Sequence, residues 1–221
     1  MEDPHQGHDS RPLLVLDING VLVRKLSKCD AQGSGGAWHM SKGHHPPAGR
    51  HHPPAGRDHQ TGRQDQKKSR PTVIETKTAI FEVRPGTYEF LDQCFQEFHV
   101  AIWSSTTFTN ANVLIDQIFT HEQREALVFK WFRDRTRYDP DYGKDESVKE
   151  FDTVKMINDI YDCPAPTFQR RWTSGNVLLL DDTQQKMRFN EEKNYLIIAE
   201  DDKSLVDRLP EIRRRFEALK K

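Results

Sequence analysis

Five polar residues in this sequence stand where an apolar run stops or where a helix is predicted to begin. Asp17 follows Leu13–Leu16 and opens the turn Asp17-Ile18-Asn19-Gly20. Ser104 follows Val100–Trp103 and begins the hydroxyl run Ser104-Ser105-Thr106-Thr107. Asp181 and Asp182 follow Asn176–Leu180, and Lys149 stands in Val148-Lys149-Glu150-Phe151 ahead of a helical pattern. Carboxylates, a hydroxyl and an ammonium group together suit phosphoryl transfer. Each also has a plainer use. Asp17 can make an Asx-turn and Ser104 a helix cap. Lys149 can be an exposed lysine, with Lys144 and Lys155 as nearby alternatives.

The elements that would position these groups follow from the apolar pattern. A short unbroken apolar run closed by a turn reads as a strand buried on both faces, and ligands in open α/β sheets sit beyond the carboxyl ends of such strands. Gly20 lets the backbone bend away behind Asp17. Val73–Val83 is rich in strand formers, and Tyr88, Leu91, Phe95 and Phe98 recur at helical spacing after the break Arg84-Pro85-Gly86. Helices are predicted over Thr109–Phe119, Val148–Tyr161 and Asp201–Leu219, and strands over Leu127–Phe132 and Tyr195–Ala199. Arg170-Arg171-Trp172 reads as exposed, and Arg213-Arg214-Arg215 as a solvent face. Strands alternating with helices imply one α/β domain with a central parallel sheet and right-handed crossovers.

One stretch breaks this pattern. Between Arg24 and Pro71 lie Gly33–Gly36 as GSGG and a tandem heptad, HHPPAGR, at His44–Arg50 and His51–Arg57. Paired prolines oppose helix and sheet, and so few apolar residues cannot offset the entropy of ordering. The predicted organisation is a polar tail over 1–10, a domain over 11–23 and 72–221, and a disordered Pro/His/Gly-rich insertion over 24–71. His44, His45, His51 and His52 could instead hold a transition metal, or the cationic proline-rich string could bind a partner.

The composition excludes several classes. A net charge of −1 gives no global field for nucleic acid or an anionic membrane. No apolar run approaches about 20 residues, so nothing reads as a membrane span. Cys29, Cys94 and Cys163 share no ligand spacing and fit a reduced compartment. The polar, acidic first ten residues are unlike a leader. The expectation is an intracellular protein, nuclear or cytoplasmic, of open oligomeric state.

Taken in order, these motifs resemble the haloacid dehalogenase (HAD) superfamily. The strand before Asp17-Ile18-Asn19-Gly20 is similar to its first motif, a hydrophobic strand followed by Asp-x-Asp-Gly. Arg84–Thr106, Val148-Lys149-Glu150-Phe151 and Asp181-Asp182 resemble, in the same order, segments of the small phosphatases that act on the RNA polymerase II C-terminal domain, the NLI-interacting-factor-like group. The resemblance covers Arg11–Val23 and about Thr72–Ala199.

It implies a HAD-like Rossmannoid fold and a magnesium-dependent phosphatase in which Asp17 becomes an aspartyl phosphate. Carboxylate attack on a phosphate dianion is electrostatically opposed, so positive charge must be in place first. By this resemblance Asp17, the Asn19 carbonyl and Asp182 hold Mg2+, with Asp181 behind them. Lys149 would neutralise the phosphoryl oxygens and Ser104 would orient them. The partner implied is a phosphorylated protein or peptide. Two residues depart from the family pattern. Asn19 replaces the aspartate that protonates the leaving group and activates water, and Val21 replaces a threonine. An amide can do neither proton transfer, and general acid–base catalysis contributes about 10²–10⁴-fold. The alternative is therefore a weak or inactive HAD-fold module that binds a phosphorylated or acidic partner.

Overall fold

A computed structural model describes residues 9–27, 70–165, 168 and 171–220. The four histidines of the heptads, Cys29 and most of the predicted insertion lie outside the described residues.

The centre of the fold is a five-stranded parallel sheet. It contains β1 (Leu13–Leu16), β5 (His99–Trp103), β6 (Lys130–Trp131), β9 (Val177–Asp181) and β10 (Tyr195–Ile197). Their order is β10-β9-β1-β5-β6. β1 is the middle strand, with Leu16 opposite Ile102 of β5 on one side and Leu180 of β9 on the other. Its side chains alternate between two cores, as a strand with period two must. Leu14 and Leu16 join Leu178, Leu180, Phe90 and Ile212, whereas Leu13 and Val15 join Trp103, Leu179 and Trp172. Helices cover the sheet, chiefly α1 (Thr87–Glu97), α2 (Phe108–Ile118) and α6 (Leu209–Leu219), with the short α3 (His121–Ala126) closed by a capping box between Thr120 and Gln123. This is the expected α/β class.

Two small antiparallel units lie beside the sheet. β2 (Val23–Lys25) and β3 (Val73–Glu75) both pair with β4 (Ile80–Val83). Arg24 and Lys25 thus belong to a strand, which moves the start of the predicted insertion past them. β7 (Arg137–Tyr138) pairs with β8 (Thr153–Val154).

β8 lies inside the segment predicted as one helix over Val148–Tyr161. A tight turn precedes it: the Lys149 N–H donates to Asp152 Oδ2 at 2.9 Å, and the Asp152 N–H to the Lys149 carbonyl at 2.9 Å. The β-branched Thr153 and Val154 then extend, and helix survives only as α4 (Asn158–Tyr161). Phe151 is 69% exposed, so it was never part of a buried helical face. The closing helix starts later than its apolar pattern suggests, after a 3-10 turn at Leu205–Arg208 and with Pro210 in its first turn. Trp172 is buried against His99 rather than exposed. No helix among the described residues is long and apolar enough to cross a membrane.

Candidate active site

β5 and β6 lie on one side of β1 and β9 and β10 on the other, so the strand order reverses at its carboxyl end, where open α/β sheets bind ligands. Asp17 is the first residue beyond β1 and is 1% exposed. Its backbone N–H donates to the Leu180 carbonyl at 2.9 Å, and its Oδ1 accepts the Ile18 N–H at 2.7 Å. The turn that follows closes when the Leu22 and Val23 N–H groups bond the Ile18 carbonyl. Gly20 sits at φ 89° with its Cα against the Asp182 carboxylate. A Cβ there would lie 2.1 Å from Asp182 Oδ2, so glycine is required for both conformation and space. The buried Arg84 guanidinium donates to the Gly20 carbonyl and, at 2.7 Å, to the Ala199 carbonyl, fixing the turn to the chain after β10. Asn19 Oδ1 is buried with no hydrogen-bond partner among the described residues.

The other two carboxylates arrive from β9. Asp17, Asp181 and Asp182 each offer an oxygen within 4.8 Å of the others. Such a cluster must be balanced by cations, and two lysines do so. Lys155, fully buried, places Nζ 2.6 Å from Asp181 Oδ2 and 3.4 Å from Asp17 Oδ2. Lys186, on the one-turn helix α5 (Gln184–Met187), places Nζ 3.4 Å from Asp182 Oδ1, 3.6 Å from Asp181 Oδ1 and 3.7 Å from Asp17 Oδ2. The two segments are tied by the Lys155 N–H, which donates to the Lys186 carbonyl at 3.0 Å. Asn190 holds the same strand end, its Nδ2 donating to the Lys155 carbonyl at 2.7 Å and its Oδ1 accepting the Ile157 N–H at 2.7 Å.

The pKa shifts express this balance. Burial alone would push the Asp181 carboxyl up, but the Lys155 and Lys186 ammonium groups and the Thr183 N–H hold it below the usual range. For Asp182, burial wins and its pKa rises, helped by the charge of Asp181 and opposed by Lys186. Lys186 is raised, because the three carboxylates outweigh its own desolvation.

Of the residues singled out in the sequence, Asp17, Asp181 and Asp182 come together. Ser104 is buried just beyond β5, with its N–H bonded to the Trp131 carbonyl at 2.9 Å and its Oγ accepting the Thr106 N–H at 3.3 Å. The β1–β5 register puts it one residue past the level of Asp17 on the adjacent strand. Lys149 is not brought to the cluster. It sits exposed on the turn before β8, whereas the buried lysine beside Asp17 and Asp181 is Lys155. The sequence held the signal, since Val154-Lys155-Met156-Ile157 has the same valine-lysine-x-apolar pattern as Val148-Lys149-Glu150-Phe151. Lys186 and Arg84 were missed. Lys186 stands four residues after Asp182, a helical spacing that brings side chains together.

This geometry agrees with a family match. The model of the NLI interacting factor-like phosphatases matches residues 12–218. The chain belongs to that family. Over 108 residues it is 31% identical to an uncharacterised FCP1 homology domain-containing protein of Schizosaccharomyces pombe, covering 47% of this chain and 42% of the relative. Among solved structures it is similar to a variant of the fission yeast RNA polymerase II CTD phosphatase Fcp1 bound to beryllium fluoride, at 14% identity and a TM-score of 0.47. That alignment covers 95% of this chain and 51% of the other. The chain thus spans about half the length of these relatives or less.

Two open spaces lie near this end of the sheet, one of them touching Asp182. A pocket of about 250 Å³ is lined by Asn19, Gly20, Arg24, Lys25, Arg84, Asp182 and Glu200. A larger groove of about 890 Å³ is bounded by Thr107, three residues after Ser104, and by Thr153, two before Lys155. Its walls combine Phe108, Phe129, Trp131, Phe132 and Tyr138 with Lys130, Arg133 and Arg135.

Proposed function

We propose that this chain is a magnesium-dependent phosphatase of phosphorylated proteins, working through an aspartyl phosphate on Asp17, with its proton-transfer step impaired by Asn19. The observation that supports this most is the set of three carboxylates on adjacent parallel strands, balanced by Lys155. An all-oxygen donor set of this kind suits Mg2+. Asn19 Oδ1 adds an unsatisfied acceptor at the same turn. Asp17, Asp182 and the Asn19 carbonyl would hold the ion, with Asp181 behind them, and bound there it supplies the positive charge that phosphate needs.

The chain's own groups then divide the work. The Ile18 N–H holds Asp17 Oδ1, while Oδ2 faces the lysines. One carboxylate oxygen attacks phosphorus as the ester bond to the leaving oxygen breaks. Lys155 stabilises charge on the transferring group, and Asp181 keeps that ammonium in place. Ser104 donates to a phosphoryl oxygen. A proton for the leaving oxygen should come from the side chain at position 19, and an amide cannot give it. A groove combining aromatic walls with arginines suits an extended phosphopeptide better than a small polar metabolite.

A second reading, a binding module without efficient turnover, is favoured by Asn19 alone. Rapid quench with Mg2+ separates the two. The expected result is that p-nitrophenyl phosphate labels Asp17 in a burst while phosphoserine peptides barely react. A nitrophenolate leaves unprotonated and a serine alkoxide does not. Asn19→Asp should raise turnover of phosphoserine peptides by about 10²-fold or more. If no aspartyl phosphate forms and Asn19→Asp gains nothing on either substrate class, the binding module is the correct reading.

A further inference from the structure

The two lysines of the cluster are held differently. Lys155 is fully buried and makes one short bond, 2.6 Å to Asp181. The Lys186 side chain is 21% exposed, and its Nζ lies 3.4 to 3.7 Å from all three carboxylates, with none at the usual optimum for a charged hydrogen bond. Its backbone is fixed, since its N–H donates to the Thr183 carbonyl at 3.1 Å and its carbonyl accepts the Lys155 N–H. Only its flexible side chain is free to change position, and solvent is open to it.

We infer that Lys186 is a built-in competitor for the divalent cation. Its ammonium group neutralises Asp17, Asp181 and Asp182 in the cation's absence and must leave them when the cation binds. The argument rests on the metal-dependent reading above. A divalent cation shared by Asp17 and Asp182 would face the same oxygens that the Lys186 ammonium now faces. Two cations cannot both occupy that position without repulsion. Without Lys186, the buried Asp17 and Asp181 and the half-buried Asp182 would be balanced by Lys155 alone, which is costly for the fold. The lysine therefore lets the domain keep its cluster assembled without metal, and it weakens metal binding as the consequence. Linked equilibria require the two effects to be reciprocal.

The probe is Mn2+, followed by calorimetry on the full chain for wild type, Lys186→Gln and the control Lys193→Gln. Lys193 carries the same charge but pairs with Glu191 away from the cluster. Lys186→Gln is expected to bind Mn2+ about tenfold more tightly or better, within the usual range of coupling between sites. Lys193→Gln should stay within twofold of wild type. Wild type gives an independent measurement, needing no variant to fold. Acetylation by a mild amine reagent, read by peptide mass spectrometry, should modify Lys186 slowly without metal and several-fold faster at saturating Mn2+. Lys155 should stay protected in both. If wild type binds Mn2+ but neither the Lys186→Gln affinity nor the Lys186 labelling changes, the competition is refuted and the metal-dependent reading stands. If no variant takes up Mn2+, both fall together.

Discussion

Replacing Lys155 with methionine tests the central assignment, and Lys149→Met is its control. The methionine keeps most of the buried stem volume but removes the ammonium that lies 2.6 Å from Asp181 and 3.4 Å from Asp17. Removing one partner of a buried ion pair typically costs about 3–5 kcal/mol, because the remaining charge is left uncompensated. Here Lys186 already contacts both carboxylates, at 3.6 and 3.7 Å, so the lower end of that range is expected. A loss of about 3 kcal/mol should appear in urea titration at pH 7, and Mg2+ should restore part of it. Loss of a preorganised charge at the reacting group should also cost about 10²–10³ in turnover of p-nitrophenyl phosphate. Lys149→Met, on an exposed turn, should stay within about 0.5 kcal/mol and keep its activity. The opposite pattern, with Lys149→Met inactive and Lys155→Met unchanged, would refute the assignment.

Gly20→Ala should lose about 1–2 kcal/mol from the left-handed backbone alone. Since its Cβ would lie 2.1 Å from Asp182 Oδ2, it should also weaken Mn2+ binding measurably; an alanine variant with normal metal affinity would show that Asp182 is not a ligand. His99 offers a pH dependence. Burial, then the Arg171 guanidinium 2.7 Å from its Nε2, push its pKa below the ordinary 6.5, against the opposing pull of Asp9. The unfolded chain therefore takes up a proton at higher pH than the folded one, so His99 makes stability fall as pH drops through about 6.5. His99→Gln should flatten the slope of urea midpoint against pH between 7 and 5; coincident slopes would show that the imidazole is not held neutral.

The strands that carry the carboxylates were legible because a run such as Leu13–Leu16 or Val177–Leu180 is buried on both faces, and only a central parallel strand accommodates that. Their polar ends then had to fall at one edge. The lysine was harder, because Lys149 and Lys155 share a local pattern and only tertiary burial separates them. The choice turned on whether Val148–Tyr161 forms one helix. It does not, because the turn at Lys149–Asp152 and the β-branched pair Thr153-Val154 outweigh the apolar spacing. Trp172 was hidden by its neighbours in sequence, because the pair Arg170-Arg171 reads as exposed while the indole packs inward beside His99. Arg84 read as part of a break with Pro85 and Gly86. Its use as a buried clamp on two carbonyls depends on residues more than 60 positions away in either direction.

The placement of the cations has a common origin that no single motif expresses. Asp181 and Asp182 come from the end of β9, and Lys186 follows on the next helical turn. Lys155 enters from β8, a two-residue strand outside the central sheet. What brings them together is hydrogen bonding to the backbone: the Lys155 N–H on the Lys186 carbonyl, and the Asn190 side chain on the Lys155 carbonyl and the Ile157 N–H. The docking of these two segments on each other therefore delivers both ammonium groups to a cluster that would otherwise be three uncompensated carboxylates. In this chain the electrostatics of the carboxylate cluster and the stability of the sheet edge are set by the same bonds, so the residues that position the cluster are also those that hold it folded.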